Sequence, residues 1–429
     1  MKLRICCEEW QPLPIGRNDG LRDKSDIELL LRTWQSKTGL SPKAFFERRH
    51  DSLVPKSWSG TIDTPRFQLE VAPIGSSFLS SQQKKSLDCN LSHMVAWSFS
   101  SHAFAGMANV SLSGYRHEAL LSLFCDELLL ARRRQVIRRY SSCSDSLLTP
   151  KGRIAFPAQC YETIRRPNSF VCNWVTLTED TPENRIFKET LQAYRHRCAA
   201  FIRSKVDICL AEMGSVSRIS DLNSEYAKIR VDRLPDYYKN LLTMSEALLI
   251  GRGSGLFLGN FFASAQILFT ANLFEKYSAK IFSLLSSSHG FITKEHPRGA
   301  FLFHREKGGA FEQIPDILLS DFSGSNKVII DTKWKSIDTS KKGCGISPDD
   351  LNQIIVYGMR YNCNRIILLY PDITISTGTS GFIEEIEMNL STQFKVYVAK
   401  MPLLSESSQA NKNFIDRLLA QLASVYKNG

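Results

Sequence analysis

Apolar and polar positions form their clearest periodic pattern in the C-terminal part of the chain. Between Pro315 and Lys335, two short apolar runs are separated by a Gly-containing turn, which predicts a β-hairpin. A helical pattern follows over Pro348–Arg360, then come the apolar strands RIILLYP and KVYVAK, and a closing helix is expected near Asn411–Tyr426. This order predicts a mixed sheet flanked by helices.

The N-terminal region has shorter and more varied patterns. Thr61–Gly75 contains a strand-like core bounded by prolines, and His117–Tyr140 carries leucines on one side of a predicted helix. Ser141–Pro157 is typical of a turn followed by a strand. The region is therefore expected to be α+β.

The middle of the chain predicts long helices. Asp180 or Thr181 can cap a helix that begins at Pro182 and continues to about Met213, roughly 45 Å. With a second helix over Pro235–Ile250, this favours a stalk rather than a compact domain. The fold class is thus multidomain α/β, with predicted domains at residues 1–175 (N-terminal), 176–250 (stalk) and 251–429 (C-terminal).

Residues 251–274 contain two features that need interpretation. The uncharged stretch Gly253–Phe274 reaches membrane-spanning length, but Asn260, Gln266 and Asn272 lie in it, so we interpret it as a buried core helix. The run GRGSG at Gly251–Gly255 lacks the Gly-Lys-Ser/Thr ending of a phosphate loop. The chain is therefore not expected to hydrolyse a nucleotide itself or to enter a membrane.

The excess of basic residues in the composition predicts that the chain binds a polyanionic partner. The 429 residues carry a net charge of +11, and residues 131–170 hold nine Lys or Arg against two acidic residues. Two interpretations fit this basic run equally: a solvated helix end that complements the macrodipole, or a surface that contacts phosphates or an acidic partner. The candidate contact residues are Arg132, Arg133, Arg134, Arg138, Arg139, Lys151 and Arg153.

The cysteines and histidines do not predict a site. Eleven cysteines are scattered without a C-x-x-C motif, which excludes a zinc ribbon and favours reduced thiols in the cytoplasm. The acidic start MKLRICCEEW is unlike a signal peptide. His289, His296 and His304 are spaced too widely for a zinc motif, so we interpret them as incidental.

The predicted hairpin carries the candidate chemistry. Asp331 and Lys333 are two apart in a strand and share a face, while Thr332 points to the other side. Asp316 enters the preceding strand, and neighbouring carboxylates ionise comfortably only around a cation. Asp316, Asp331 and the Thr332 carbonyl are therefore candidate ligands for Mg²⁺, with Mn²⁺ as the alternative. Lys333 would orient a water or stabilise phosphate charge, although an Asp-Lys ion pair is the simpler interpretation of D-x-K alone.

Two further segments favour the metal interpretation. Glu275, on the helix ahead of the sheet, is a candidate metal or water ligand. Gln353 and Tyr357 are at i and i+4 on one helix face. Gln353 is expected at the water or phosphate, and Tyr357 at DNA or in the core.

Together these residues resemble a known pattern. Glu275, Pro315-Asp316, Asp331-Thr332-Lys333 and Gln353-x-x-x-Tyr357 are similar to the PD-(D/E)XK nucleases of RecB type. With LLTPKGRIAF and LTEDTPENRIFKETL, the match over roughly residues 60–370 resembles the McrC family of modification-dependent restriction subunits. Lys151 stands where an Arg is common in that family, and Trp334 where a Tyr is common.

The resemblance implies a division of labour. The C-terminal domain would have a PD-(D/E)XK restriction-endonuclease-like fold and would cut double-stranded DNA with Mg²⁺. A McrB-like AAA+ GTPase hexamer would bind GTP, recognise DNA and be stimulated by the N-terminal and stalk regions of this chain. Double-strand cleavage requires two active sites, so we expect complexes to dimerise.

Two other functions remain open at the level of sequence. The chain could be a non-cleaving regulator that assembles and activates an AAA+ ring, or a standalone RecB-like nuclease. The complete set of Asp316, Asp331 and Lys333 favours an active nuclease over the regulator. The roughly 250 residues ahead of the nuclease, which contain no helicase motif, disfavour the standalone enzyme.

Overall fold

A computed structural model describes most of the chain. The described residues are 3–16, 20–38, 40–99, 116–249, 262–264, 267–305, 308–325, 327–337, 341–373, 382–388, 394–403 and 408–427. The Gly251–Gly255 run lies outside them. Within the described residues, no helix combines the length and apolarity needed to cross a membrane.

The described residues form strands and helices that alternate along the chain. The strands are β1 Leu3–Glu8, β2 Leu13–Pro14, β3 Phe46–Arg48, β4 Ser52–Pro55, β5 Ser59–Asp63, β6 Phe67–Ala72, β7 Arg139–Leu147, β8 Arg153–Ile154, β9 Phe170–Thr178, β10 Phe262–Ser264, β11 Ile267–Leu268, β12 Phe291–Glu295, β13 Phe301–Arg305, β14 Gly308–Glu312, β15 Ile317–Asp321, β16 Lys327–Thr332, β17 Arg365–Asp372, β18 Phe382–Met388 and β19 Phe394–Pro402. The helices are α1 Lys24–Thr38, α2 Ser81–Phe99, α3 Arg116–Arg134, α4 Phe156–Arg165, α5 Pro182–Tyr194, α6 Ala200–Glu212, α7 Leu222–Ala227, α8 Asp236–Leu248, α9 Thr270–Leu285, α10 Pro348–Tyr361 and α11 Ser408–Lys427. The fold is therefore mixed α/β with several sheets.

Two compact units divide the chain. Unit 1 consists of Met1–Leu120 and Leu258–Gly429, and unit 2 of Leu121–Phe257. The N-terminal and C-terminal segments share unit 1 because β11 pairs with β5 inside one five-stranded sheet. The units consequently do not coincide with the predicted ranges 1–175, 176–250 and 251–429, which remain a functional prediction.

The N-terminal segment of unit 1 is built around a sheet of order β1-β6-β5-β11-β10. Alternating burial along β6 sends Phe67, Leu69 and Val71 into the core, as expected for a strand with one solvated face. Trp34 of α1 packs against Trp58 with ring centroids 5.1 Å apart. The strand-like pattern around residues 61–75 is confirmed as β5 and β6.

The C-terminal segment of unit 1 contains the predicted hairpin in a six-stranded sheet of order β12-β15-β16-β17-β19-β18. β15 and β16 are antiparallel, whereas β16, β17 and β19 are parallel. Helix α10 makes the crossover between β16 and β17 and buries Ile354 and Tyr357 against the sheet. The predicted mixed sheet, the hairpin and the helices at Pro348 and near Asn411 are confirmed.

The predicted helix over residues 253–274 is wrong in its described part. Residues 262–264 and 267–268 form β10 and β11, and helix α9 begins only at Thr270. The apolar character of this stretch has a different cause, because Ile267 and Phe269 are buried in the core of the N-terminal sheet. Apolar composition alone does not distinguish a buried strand from a buried helix.

The predicted 45 Å helix in unit 2 is also wrong. Thr181 caps α5 by accepting from the Asn184 amide, as predicted, but α5 ends at Tyr194. Helix α6 returns antiparallel beside it, since Lys188 donates to the Met213 carbonyl at 3.0 Å and Arg195 pairs with Asp207 at 2.7 Å. The apolar stripe of α6, with Ile202, Val206 and Cys209, is thereby buried.

Helix α3 ends earlier than its charge pattern predicted. It stops at Arg134, and β7 begins at Arg139 instead of a turn near Ser141. Nine consecutive residues of β7 pair with β9, so the backbone of residues 139–147 has strand partners rather than helical ones. In the core of unit 2, Phe187 of α5 stacks on Tyr238 of α8 and meets Phe124 of α3 edge to face.

Candidate metal centre

The strand register brings three polar side chains together where strands β12, β15 and β16 of the six-stranded sheet end or begin. Ile317 is opposite Ile330, so Asp316 lies opposite Asp331 at the next position of the hairpin. Glu295 is opposite Ile317, and the His296 amide continues that ladder by donating to the Asp316 carbonyl at 3.0 Å. His296, Asp316 and Asp331 therefore lie side by side on three neighbouring strands.

Helix α9 adds a fourth group from above this edge. Glu275 lies near the middle of α9 and its carboxylate contacts the His296 imidazole. One ligand atom from each of Glu275, His296 and Asp316 falls within 4.8 Å of the other two. Such spacing, with two carboxylates and an imidazole, suits a divalent cation.

His296 lies in this candidate cluster, whereas the sequence predicted that the histidines are incidental. It has a left-handed backbone with φ +43°, which is costly for a residue other than glycine. The sequence carries no signal for this role, because the spacing of His296 from Glu275 and Asp316 follows no ligand motif. His289, the first of the other histidines, pairs instead with Asp416 at 2.7 Å.

Burial and mutual repulsion shape the electrostatics of the centre. Burial raises the pKa of Asp331 to about 7, the neighbouring charge of Asp316 adds to this, and Lys333 opposes it. Burial likewise raises the pKa of Glu275, again with a contribution from Asp316, while His296 opposes the shift. Asp331 and Glu275 therefore hold their protons more tightly than usual. A bound cation would favour their ionised forms and lower both pKa values.

Lys333 lies at the centre of a chain of polar contacts. Its Nζ is 2.7 Å from Asp331 Oδ2 and donates to Gln353 Oε1 at 2.9 Å. Gln353 Nε2 in turn donates to the Tyr357 hydroxyl at 2.8 Å. Burial alone would lower the pKa of Lys333, but the nearby Asp331 and Asp350 raise it overall, so the ammonium stays charged.

Tyr357 and Thr332 are placed more specifically than the sequence predicted. Tyr357 of α10 points into the core between the helix and the sheet, and so takes the second of its two predicted positions. Thr332 does not simply face away, because both its amide and its hydroxyl donate to Asp316 Oδ2, at 2.7 and 2.6 Å. These two bonds fix the Asp316 carboxylate beside Asp331.

Asp350 and Lys335 belong to the surroundings of the centre although the sequence did not suggest them. Asp350 is 3.7 Å from Lys333 and 2.9 Å from Lys335. Its burial favours the neutral form, but hydrogen bonds from Lys335 and Ser347 lower its pKa overall. Asp350 therefore supplies a second negative charge next to Lys333.

The N-terminal strand also reaches the centre, which the sequence did not suggest. Trp334, next to Lys333 in the chain, donates its indole N–H to Glu9 Oε2 at 2.6 Å. The buried Glu9 also accepts from the Ile74 amide at 3.0 Å and from the Thr270 hydroxyl. Strand β16 and helix α9 are thus attached to one carboxylate at the end of β1.

The predicted contact arginines fall into two groups. Arg132 is nearly buried and pairs with Glu179 at 3.1 Å and Glu212 at 3.3 Å, so it is a structural residue of unit 2. Lys151 lies over the Trp174 ring at 5.1 Å. The exposed members of the set are Arg133, Arg134, Arg138, Lys151 and Arg153, with Arg139 partly exposed.

A family comparison covers the centre. The sequence model of the McrBC family, described as the McrBC 5-methylcytosine restriction system component, matches residues 53–371 of the 429. This chain belongs to the McrBC family. The McrBC match contains Glu275, His296, Asp316, Asp331 and Lys333, so the whole centre lies in the shared region. No curated protein is detectably similar in sequence.

Solved structures show that the fold is shared more widely than the sequence. A chain of the refined half-complex from a tetradecameric assembly of Thermococcus gammatolerans McrB AAA+ hexamers with bound McrC has a TM-score of 0.64 and 16% identity. That likeness covers 98% of this chain and 100% of the other. A chain of the cryo-EM structure of the T. gammatolerans McrBC complex has a TM-score of 0.41 and 15% identity, over 65% of this chain and 87% of the other.

Proposed function

We propose that this chain is the DNA-cleaving subunit of a GTP-dependent restriction system, with a PD-(D/E)XK nuclease domain in its C-terminal part. The observation that carries the proposal is the meeting of Asp316, Asp331 and Lys333 at one sheet edge in a McrBC family member. Clustered carboxylates beside a lysine are the catalytic residues that metal-assisted phosphodiester hydrolysis requires.

The donor set fits a divalent cation such as Mg²⁺ or Mn²⁺. Glu275 and Asp316 offer hard oxygen ligands, and His296 adds a nitrogen that Mn²⁺ accepts more readily than Mg²⁺. Asp331 lies outside this three-residue cluster and pairs with Lys333, so its role as a further oxygen ligand rests on its place opposite Asp316 in the hairpin. The Thr332 carbonyl remains the predicted fourth oxygen. When bound, the cation would polarise the scissile phosphate and lower the pKa of an attacking water.

The chain's own residues prepare the remaining part of the site. Lys333 presents a charged ammonium that can donate to a phosphate oxygen or orient the attacking water. Gln353 of α10 holds that ammonium in place by accepting its hydrogen bond. Tyr357, on the same helix, orients Gln353 by accepting from its amide nitrogen. Thr332 keeps Asp316 turned toward the cation side by its two hydrogen bonds.

Unit 2 offers a surface for the expected AAA+ GTPase partner. The sheet of β7, β9 and β8 with helix α4 exposes apolar side chains that contribute little to a core, among them Tyr140, Phe156, Tyr161, Ile164 and Val175. Several large exposed apolar side chains on neighbouring elements are typical of protein–protein contact sites. The structure with the higher TM-score has McrC bound to McrB AAA+ hexamers, which supports assigning the surface to a McrB-like hexamer.

Plasmid cleavage tests the proposal. Methylated and unmethylated plasmid would be incubated with Mg²⁺, with and without GTP and the AAA+ protein, and with the wild type, Asp331→Ala or Asp349→Ala. Asp349 is an exposed neighbour of the centre and serves as the matched control. We expect cutting to need partner, GTP and Asp331, and to survive the loss of Asp349.

The other outcomes assign the other functions. Stimulated GTP hydrolysis without cutting by any variant would replace the nuclease with a regulatory subunit. Cutting by this chain alone at the same rate would make it a standalone nuclease. Cutting that persists in Asp331→Ala would remove the proposed metal centre from the reaction.

A further inference from the structure

An arginine-lined pocket lies in unit 2, away from the residues of the proposed metal centre in sequence. Residues 135–139, between α3 and β7, form one wall, and residues 230–238, at the start of α8, form the other. Its volume is about 640 Å³, which is in the range of pockets that hold small organic ligands. Arg138, Arg139, Arg230 and Arg233 all line it.

The first two arginines are only partly neutralised. Arg138 pairs with Glu179 at 2.9 Å, but Glu179 is shared with Arg132 at 3.1 Å. Arg139 pairs with the fully buried Glu183. These bonds fix the guanidinium groups in place, so little side-chain entropy would be lost when they bind a ligand.

The second two arginines are not neutralised within the described part of the chain. Arg230 and Arg233 are exposed, and neither side chain makes an ion pair or hydrogen bond with a described residue. They stand three residues apart on one side of the pocket, and Asp236 nearby is paired with Lys239 at 2.9 Å. The pocket therefore carries an excess of positive charge that attracts an anion.

The remaining lining distinguishes between anions. Tyr237 lines the pocket next to Tyr238, their ring centroids 5.0 Å apart, and the Arg134 guanidinium lies 5.5 Å from the Tyr237 ring. Several guanidinium groups around one space suit the several oxygens of a phosphate. The aromatic wall and the volume suit the base and sugar attached to it.

We propose that this pocket binds the phosphate groups of a nucleotide unit, which can come from a free nucleotide or from single-stranded nucleic acid. The binding needs neither the metal centre nor cleavage, so it extends beyond the proposed function. The proposal also gives part of the basic run at residues 131–170 a specific role. In that run, Arg138 and Arg139 line the pocket and would bind the phosphate.

Fluorescence anisotropy of the full-length chain in EDTA tests the pocket without cleavage. The probes are mant-GDP and a fluorescein-labelled dT12, titrated at 50 mM and 200 mM salt. The variants are Arg230→Glu/Arg233→Glu and, with smaller structural perturbation, Arg230→Ala/Arg233→Ala. The control is Arg218→Glu, which changes an exposed arginine of the same unit that does not line the pocket.

We expect at least one probe to bind, with affinity at least tenfold weaker in both double variants and within twofold of wild type in the control. For dT12, a single strand, the slope of log K against log salt should fall by about 0.7 for each arginine lost. Binding of mant-GDP would identify a free nucleotide as the source, and binding of dT12 alone would identify nucleic acid. No binding, equal binding by the double variants, or equally strong competition by a polyglutamate peptide would each overturn the proposal.

Discussion

At the scale of single residues, two members of the proposed centre are costly to place, although Asp331 is paired with Lys333. Asp331 is buried at a sheet edge with a raised pKa, and His296 has a strained backbone. Both features cost stability in the unliganded chain. The proposed cation would offset the first of these costs, because its positive charge favours the ionised carboxylates.

His296→Asn tests whether the histidine is a ligand. Asparagine tolerates the left-handed backbone of this position, so the substitution removes the imidazole with little strain. We expect Mn²⁺ affinity, measured by isothermal titration calorimetry, to fall about tenfold or more. In His289→Asn, which lies outside the cluster, affinity should change less than about twofold; an equal affinity in His296→Asn would exclude the imidazole as a ligand.

Asp180 predicts a pH dependence of stability in unit 2. Its hydrogen bonds with Arg185, against the opposing effect of burial, lower its pKa to about 2, and Ser217 assists. Because the folded pKa lies below the unfolded value, this stabilisation is present above about pH 4 and is lost as pH falls through 2. Asp180→Asn should therefore cost about 1 kcal/mol in urea unfolding at pH 7.

Urea unfolding of wild type and Asp180→Asn at low pH tests whether the charge of Asp180 is the cause. The difference between wild type and Asp180→Asn should shrink steadily between about pH 4 and pH 2. Asp232→Asn, at an exposed position of the same unit, should match the wild type throughout. A wild-type advantage that is independent of pH would mean that charge is not its origin.

At the scale of elements, the position of α10 decides where Lys333 is held. Gln353 of this helix accepts from Lys333, and Gly358 allows the helix to pack closely on Phe394 of β19 and Ile366 of β17. A Cβ atom at this position would lie 2.4 Å from the Phe394 ring and 2.9 Å from the Cys363 carbonyl oxygen. The helix therefore uses glycine for packing, in spite of its low helix propensity.

Gly358→Ala should consequently reverse the usual sign of a helical Gly-to-Ala change. Where space is available, the substitution stabilises a helix by about 1 kcal/mol. Here overpacking should lower the free energy of unfolding by about 1–3 kcal/mol, measured by urea denaturation. Met359→Ala, one residue along and 68% exposed, should remain within about 0.5 kcal/mol; a stabilised Gly358→Ala would show that α10 packs less tightly.

At the scale of the whole molecule, the two compact units suggest two tasks. Unit 1 contains the candidate metal centre together with the N-terminal sheet, whose Glu9 binds Trp334 beside the centre. Unit 2 contains the exposed apolar surface and the arginine-lined pocket. We infer that cleavage and partner binding are separable by mutation.

Phe156→Ser/Ile164→Ser tests that separation. Both side chains are on α4 and more than two-thirds exposed, at 71% and 84%, so the fold should tolerate the change. We expect stimulation of the AAA+ partner's GTP hydrolysis to fall at least about tenfold, while Mn²⁺ affinity is unchanged. Phe322→Ser, equally exposed but in unit 1, is the control, and unimpaired stimulation in the double variant would move the partner surface elsewhere.

Short-range sequence patterns are sufficient to specify the local parts of this protein. The hairpin around Asp316 and Asp331, the shared face of Asp331 and Lys333, and the amphipathic α10 follow from periodicity within a few residues. Features that depend on distant pairings became visible only in the folded chain, because the sequence carries no local signal for them. His296 joins the centre through strand register, Glu9 through the packing of an N-terminal strand, and α6 folds back on α5 to bury its apolar stripe.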